Sequence, residues 1–253
     1  MLDLSKIDFS DLTPENLGIV ADNILRKTPH KDIQAAMECV QGGAQRIEAL
    51  AHPNTFLQYV RTKDEHDEET PVKLFPDKPH CRYILNLLFE RAQSIYFIAK
   101  SRQIMLTWLC CSYALWLAKR HPHRLIFLQS KKEEDAANLV FNGGKSGKNW
   151  HTARISFIEK HLPLWLQDPD IEASYGKLIF PNGSKIWGVP EGGDMIRSYT
   201  PSLVISDEAA FQPEFGSAFT AMLPVAKQGG MLIAISSANP GVFGDTVCET
   251  GIF

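Results

Sequence analysis

From residue 76 onward the chain alternates short β-rich runs with helical stretches, and this constrains the fold more than any other property of its 253 residues. Tyr83 to Ala92 reads as a helix, Ile95 to Ala99 as a strand, Thr107 to Lys119 as a helix, Arg124 to Gln129 as a strand and Lys131 to Phe141 as a helix. The strands Leu203 to Ser206 and Met231 to Ser236 follow, with a helix around Pro213 to Met222 between them. Parallel strands need a crossover, usually a helix, so such alternation predicts a mostly parallel sheet covered by helices. Leu178 to Trp187 interrupts it with a hairpin, in which Asn182-Gly183 is expected to form a type I′ turn. Ligands of such sheets bind outside the carboxyl ends of the strands, so the loops that follow strands are where chemistry is expected.

The first part of the chain has a different pattern. Thr13 and Pro14 mark a helix start, with Leu17, Val20, Ala21 and Ile24 on one face. Thr28-Pro29 marks a second helix that Gly42-Gly43 is expected to end, and a third short piece ends near Pro53. The run Lys63-Asp64-Glu65-His66-Asp67-Glu68-Glu69, followed by Pro71 and Pro76, reads as a solvated connection. Residues 1–70 are therefore expected to form a helical segment and charged connection, and residues 71–253 the α/β domain. With 44% hydrophobic residues the chain can bury a real core. A net charge of -3 argues against a dedicated nucleic-acid binder and leaves room for transient DNA contact. Cys39, Cys81, Cys110, Cys111 and Cys248 show no metal-ligand spacing and are expected to be reduced, mostly buried small hydrophobes. The N-terminus lacks the pattern of a signal peptide, and the longest apolar candidate, Trp108 to Ala118, falls well short of the ~20 residues of a membrane span.

Two strand ends carry the chemical signal. After Ile95 to Ala99 comes a polar turn, Lys100-Ser101-Arg102-Gln103-Ile104-Met105-Leu106, and then Thr107 at a helix start. Backbone N–H groups in such a turn, with the helix N-terminus, make an anion site, and a hydroxyl at the helix start can ligate Mg²⁺. The usual phosphate loop puts lysine directly before Ser/Thr. Here Leu106 holds that place and the loop's lysine is Lys100, seven residues before Thr107. If the loop wraps phosphates its ends approach, and a lysine at the entrance reaches the same oxygens. A hundred residues beyond Thr107, the strand Leu203-Val204-Ile205-Ser206 ends in Asp207-Glu208. Such a pair divides labour: one carboxylate for the Mg²⁺ shell, one to orient and activate an attacking water. A third polar turn, Ser236-Ser237-Ala238-Asn239, follows the last apolar run.

Taken in order, these motifs resemble those of the large terminase subunit of tailed bacteriophages, the motor ATPase that packages DNA. KSRQIMLT is similar to that family's Walker A with the lysine displaced to its front, DEAAF (Asp207 to Phe211) to its Walker B, and Ser236-Ser237-Ala238-Asn239 to its coupling motif. The resemblance implies a P-loop NTPase of the RecA/ASCE-like class that binds ATP and Mg²⁺. Lys100 and the loop residues Ser101, Arg102, Gln103, Ile104, Met105 and Leu106 would bind nucleotide, with Arg102 as the motif's arginine. Thr107 and Asp207 would hold Mg²⁺, Glu208 would be catalytic, and Ser236 and Asn239 would lie beside the γ-phosphate. Arg197 falls where the family has a candidate trans-acting arginine finger. One departure concerns Met105, where the family usually has Gly. The implied partners are double-stranded viral DNA, a portal protein, a small terminase subunit and further copies forming a ring on the portal, in the host cytoplasm, the isolated domain being monomeric. The family's C-terminal nuclease domain is expected to be absent. A helicase-like RecA-type ATPase, and a docking module that has lost catalysis, are the competing expectations. Gly143-Gly144-Lys145-Ser146-Gly147-Lys148 is set aside as a solvated loop, and Lys78-Pro79-His80-Cys81-Arg82 lacks the adenine-contacting glutamine of the family, leaving Arg82 as a substitute.

Overall fold

The computed structural model describes residues 13–28, 33–64, 67–143 and 151–250. The chain opens with α1 (Leu17–Lys27), α2 (Ile33–Ala51) and α3 (Pro53–Leu57), followed by β1 (Arg61–Lys63), β2 (Val72–Leu74) and α4 (Pro79–Glu90). One expectation is corrected here. Helix α2 runs straight through Gly42-Gly43. A Cβ on Gly42 would sit 2.9 Å from the Trp165 Cβ, so this glycine gives the helix room for a close neighbour and does not end it. The described residues of the charged run beyond Lys63 are exposed or half-buried and lie between β1 and β2, which pair antiparallel with Lys63 opposite Val72. Proline then takes the first position of both α3 and α4, where its missing N–H is not needed. Thr28-Pro29 and most of the 143–148 loop lie partly or wholly outside the described residues, which lack 29–32 and 144–150.

The alternation beyond residue 76 builds β3 (Ile95–Ala99), α5 (Leu106–Arg120), β4 (Leu125–Gln129), α6 (Glu133–Val140), α7 (Arg154–His161), β5 (Glu172–Ser174), β6 (Lys177–Ile179), β7 (Lys185–Val189), α8 (Asp194–Ser198), β8 (Leu203–Asp207), α9 (Phe215–Lys227), β9 (Met231–Ser236) and α10 (Val242–Thr250). One sheet of seven strands results, in the order β3-β9-β8-β4-β7-β6-β5. The first five are parallel, and β6 and β5 run antiparallel at the edge. Pairing of Ala99 with Ser236, Asp207 with Ile235, and Gln129 with both Ser206 and Val189 brings five strand ends to one edge. The expected α/β sheet is thus present, with β9 inserted between the loop strand β3 and the acidic strand β8.

Alternate residues of each strand serve opposite faces. Ile98, Ile126, Leu128, Leu203, Ile205, Ile233 and Ile235 pack with α5, while Phe127, Val189, Val204 and Leu232 pack with α8 and α9. Helix α5 is buried nearly all round, including Leu109, Cys110, Cys111, Tyr113, Leu115 and Trp116. A helix sealed on every side holds the loop at its N-terminus in a fixed place. The β6–β7 hairpin differs from the type I′ turn expected. The Gly183 N–H donates to Phe180 O, so Pro181 and Asn182 are the central residues; only Gly183, at φ 80°, has positive φ there. Proline's fixed φ suits the first central position of a type I turn, and the glycine becomes the bulge residue after it.

Candidate functional site

The loop after β3 is anchored at its start, because the Lys100 N–H donates to Ser236 O at 2.9 Å and extends the β3–β9 ladder by one residue. It enters α5 through Met105, which has φ 68° and ψ 9°; Gln103 is also left-handed at φ 62°. Met105 thus adopts the backbone conformation that glycine takes freely, and its partly buried side chain packs against the core. The left-handed geometry costs a non-glycine residue about 1 kcal/mol. This gives an unusual expected order of stabilities: Met105→Gly relieves that strain, whereas Met105→Ala keeps it and loses the same packing. Urea denaturation should place Met105→Gly above Met105→Ala by about 1 kcal/mol, the reverse of their usual order. An equal or higher midpoint for Met105→Ala would contradict the left-handed turn.

The three motifs meet in hydrogen bonds. Lys100 Nζ lies 2.6 Å from Glu208 Oε1, with the lysine side chain 7% exposed and the glutamate 43%. Thr107 Oγ1 donates to Asp207 Oδ1 at 3.0 Å. Glu208, itself left-handed at φ 52°, turns its second oxygen to the Ser236–Asn239 turn: Ser237 N and Oγ lie 3.4 and 3.3 Å from Oε2, and Ser236 Oγ 3.4 Å. Asn239 Nδ2 donates to Ala210 O at 2.8 Å, and the Ala210 N–H donates to Ser236 Oγ at 3.1 Å, so this turn is tied to the acidic turn at both ends. Among predicted site residues, the structure therefore brings together Lys100, Thr107, Asp207, Glu208, Ser236 and Asn239.

The two carboxylates differ electrostatically. Burial raises the pKa of Asp207 and Glu208 adds to the rise, while the Thr107 hydroxyl, Arg154 and Lys100 oppose it; the net shift is upward. Burial also acts to raise Glu208, but the hydrogen bond and charge of Lys100, with the Ser237 N–H and hydroxyl, outweigh it and the net shift is downward. Environment thus moves the two neighbours in opposite directions, and Glu208 is held as an anion between a cation and hydroxyl donors.

A cavity of about 920 Å³ opens beside this cluster, lined by Lys100 and by Gln103 to Thr107 on one side. Its volume lies within the ~300–1,000 Å³ range of small-molecule sites. Asp207 and Glu208 are not among its lining residues and adjoin it through Thr107 and Lys100. Ser101 and Arg102 are exposed and also outside the lining. The wall includes residues that no motif announced: Lys63 and Lys73 of the β1–β2 ribbon, Lys78, and Arg154 at the start of α7. Lys73 is held by Asp64 and Asp67 at 3.0 and 2.7 Å. Arg82 turns away to Asp77 at 3.2 Å, whereas His80 Nε2 lies 3.3 Å from Ile104 O in the loop itself. Arg197 is elsewhere: on α8, beyond β7, it contacts Asp194 Oδ1 at 3.0 Å and Ser217 Oγ at 3.2 Å, with its side chain 52% exposed. Within the chain it does not join the Lys100 cluster.

No protein-family model matches the chain, and no curated protein matches it. Solved structures do. The large terminase of bacteriophage HK97 superposes with a TM-score of 0.59 at 17% identity, covering 80% of this chain and 42% of that one. The large terminase ATPase domain of Thermus phage P74-26, in a mutant form, gives a TM-score of 0.49 at 14% identity over 67% of this chain and 68% of that one. The chain therefore spans less than half the length of the HK97 protein it matches. At 17% identity the HK97 likeness establishes the fold alone, a mostly parallel sheet flanked by helices.

Proposed function

We propose that this chain is the ATPase domain of a viral DNA-packaging motor of the large terminase type, hydrolysing ATP with Mg²⁺ to move double-stranded DNA into a procapsid. The observation that carries the reading is the pairing of Lys100 with Glu208 and of Thr107 with Asp207 at one edge of the sheet, beside a cavity of nucleotide size. Four residues from segments a hundred positions apart meet in the combination that phosphoryl transfer needs.

In this mechanism Lys100 and the backbone N–H groups from Ser101 to Leu106 bind the β- and γ-phosphates. The donor set fits Mg²⁺: Thr107 and Asp207 offer hard oxygen ligands, and no group of three or more His, Cys, Asp or Glu that could hold a metal occurs among the described residues. Mg²⁺ is commonly held by one or two protein oxygens, with waters and substrate phosphates completing its shell, and when bound it neutralises phosphate charge. Glu208 takes a proton from the attacking water as its oxygen bonds to the γ-phosphorus and the bond to the ADP oxygen breaks. Because Lys100 holds Glu208 in the ligand-free arrangement, phosphate oxygens compete for the ammonium and free Oε1, while Ser237 retains Oε2. Ser236 and Asn239 connect the acidic turn to β9, so loss of the γ-phosphate is felt in the sheet. Arg197 acts in trans, in a ring of copies on the portal, with a small terminase subunit and DNA as further partners in the host cytoplasm. No helix among the described residues is long and apolar enough to cross a membrane.

Phosphate release under steady-state conditions tests this reading. Lys100→Ala should lower turnover by about 10²-fold or more, the scale of losing one preorganised charge-stabilising donor, and should weaken ATP binding. Wild-type turnover and affinity in Lys100→Ala would remove the displaced lysine from the mechanism.

A further inference from the structure

Arg154 begins α7, far in sequence from every motif discussed above. Its guanidinium carbon lies 5.8 Å from the Trp108 ring centroid, and both residues line the cavity that holds Lys100 and Thr107. The residue is half-buried. Among the described residues no group accepts a hydrogen bond or ion pair from it, although a guanidinium carries five donors. Other arginines of the chain show what a structural role looks like: Arg26, Arg46 and Arg82 each end on a carboxylate. Arg154 instead lies over the Trp108 ring within cation–π range, an interaction that leaves its N–H donors unspent.

Its position within the cavity is informative. The charge of Arg154 acts on Asp207, the carboxylate bonded to Thr107, and on Cys111 one helical turn further along α5. The cation thus shares one cavity with Lys100 and Thr107 and is close enough to Asp207 for its charge to be felt there. An arginine fork there matches phosphate oxygens in a way a lysine does not.

We propose that Arg154 is a phosphate-binding residue of this cavity, contributed in cis, which contacts the terminal phosphate of a bound nucleoside triphosphate while lying over the Trp108 ring. The inference rests on the nucleotide reading above and adds a second cation to Lys100. It also separates two arginine roles: Arg154 distinguishes triphosphate from diphosphate within one chain, and Arg197 serves a neighbour.

Equilibrium titration of the 253-residue chain with fluorescently labelled ATP and ADP, in Mg²⁺, tests it. Arg154→Ala should weaken ATP by about ten- to a hundredfold, the scale of a charge-assisted hydrogen bond, and leave ADP little changed. Arg154→Lys, which keeps charge and loses the fork, should fall between. The ligand-free unfolding midpoint of Arg154→Ala should match wild type. Unchanged ATP affinity in Arg154→Ala, with Lys100→Ala impaired, overturns the inference and leaves the nucleotide reading intact. Equal loss of ATP and ADP, together with a lowered unfolding midpoint, also overturns it, by assigning Arg154 a structural role. If the wild-type chain binds neither nucleotide, the reading fails and the inference with it.

Discussion

Glu208→Gln should bind ATP at least as tightly as wild type and turn it over about 10³-fold more slowly. The size follows from the ~10²–10⁴-fold that a positioned general base contributes. The direction of the binding effect follows from the salt bridge. Glu208 Oε1 occupies Lys100 at 2.6 Å in the ligand-free protein, so phosphate must compete with a carboxylate for the ammonium. An amide keeps the shape and the hydrogen bond but gives up the charge, which loosens the hold on Lys100. Single-turnover hydrolysis and equilibrium binding, measured on one preparation, separate the two effects. Wild-type turnover by Glu208→Gln would assign the base to another residue. The same variant tests Arg197. Mixed with Arg197→Ala under conditions that assemble rings, it should recover part of the lost activity, because a site can then take Glu208 from one copy and Arg197 from its neighbour. Failure of mixed, assembled rings to recover any turnover would return Arg197 to its local role with Asp194 and Ser217.

What sequence revealed here was what depends on short segments. The strand before Lys100 and the strand before Asp207 are apolar runs with polar ends, so both loops and their order were legible, as was the parallel sheet that brings them together. The lysine's displacement became interpretable because Lys100 and Glu208, 108 positions apart, meet at the sheet edge. Features set by distant neighbours were not legible. Gly42-Gly43 reads as a helix end until Trp165 is seen packed against Gly42. The pairing of β1 with β2 on either side of the charged run has no signal in the sequence, because each strand is only three residues long. Asn182-Gly183 reads as the centre of a turn, but Pro181 shifts that centre back by one residue. Arg154 has no motif around it, and only the packing of α7 on α5 gives it a place in the cavity. Met105 stands out in the sequence only as a bulky residue in a polar turn; its φ of 68° shows that the turn needs there a conformation that glycine takes freely.

Lys119→Met should destabilise the chain by about 3–5 kcal/mol, the range found when one member of a buried ionic group is removed. The Lys119 side chain is fully buried, with Nζ 2.8 and 3.0 Å from the two Glu159 oxygens, 2.6 Å from Asp168 Oδ2 and 3.0 Å from Leu166 O. Arg46 of α2 closes the group by pairing with the other Asp168 oxygen. Two cations and two anions are thus balanced between α2, α5, α7 and the turn after it, and methionine leaves two buried carboxylates facing one guanidinium. The loss is a large part of the ~5–15 kcal/mol that holds a domain folded. A pH series gives a second readout with a definite sign. Burial raises the Glu159 pKa in the folded chain, partly offset by Lys119, whereas Asp168 is lowered despite its burial, chiefly by Lys119 and Arg46. Without the ammonium the Glu159 pKa rises further, so the folded variant binds a proton that the unfolded chain does not, at any pH between the unfolded and folded values. Its deficit relative to wild type should therefore shrink as pH falls into that window, and Lys119→Met with Glu159→Gln should recover part of the loss at neutral pH. A single-variant cost near zero would mean that water reaches the group and the charges are solvated. A full cost has a consequence for the site, because Lys119 sits near the far end of the same buried helix whose first turn carries Thr107: the ion group that joins α2 to α5 also helps to fix the floor of the cavity.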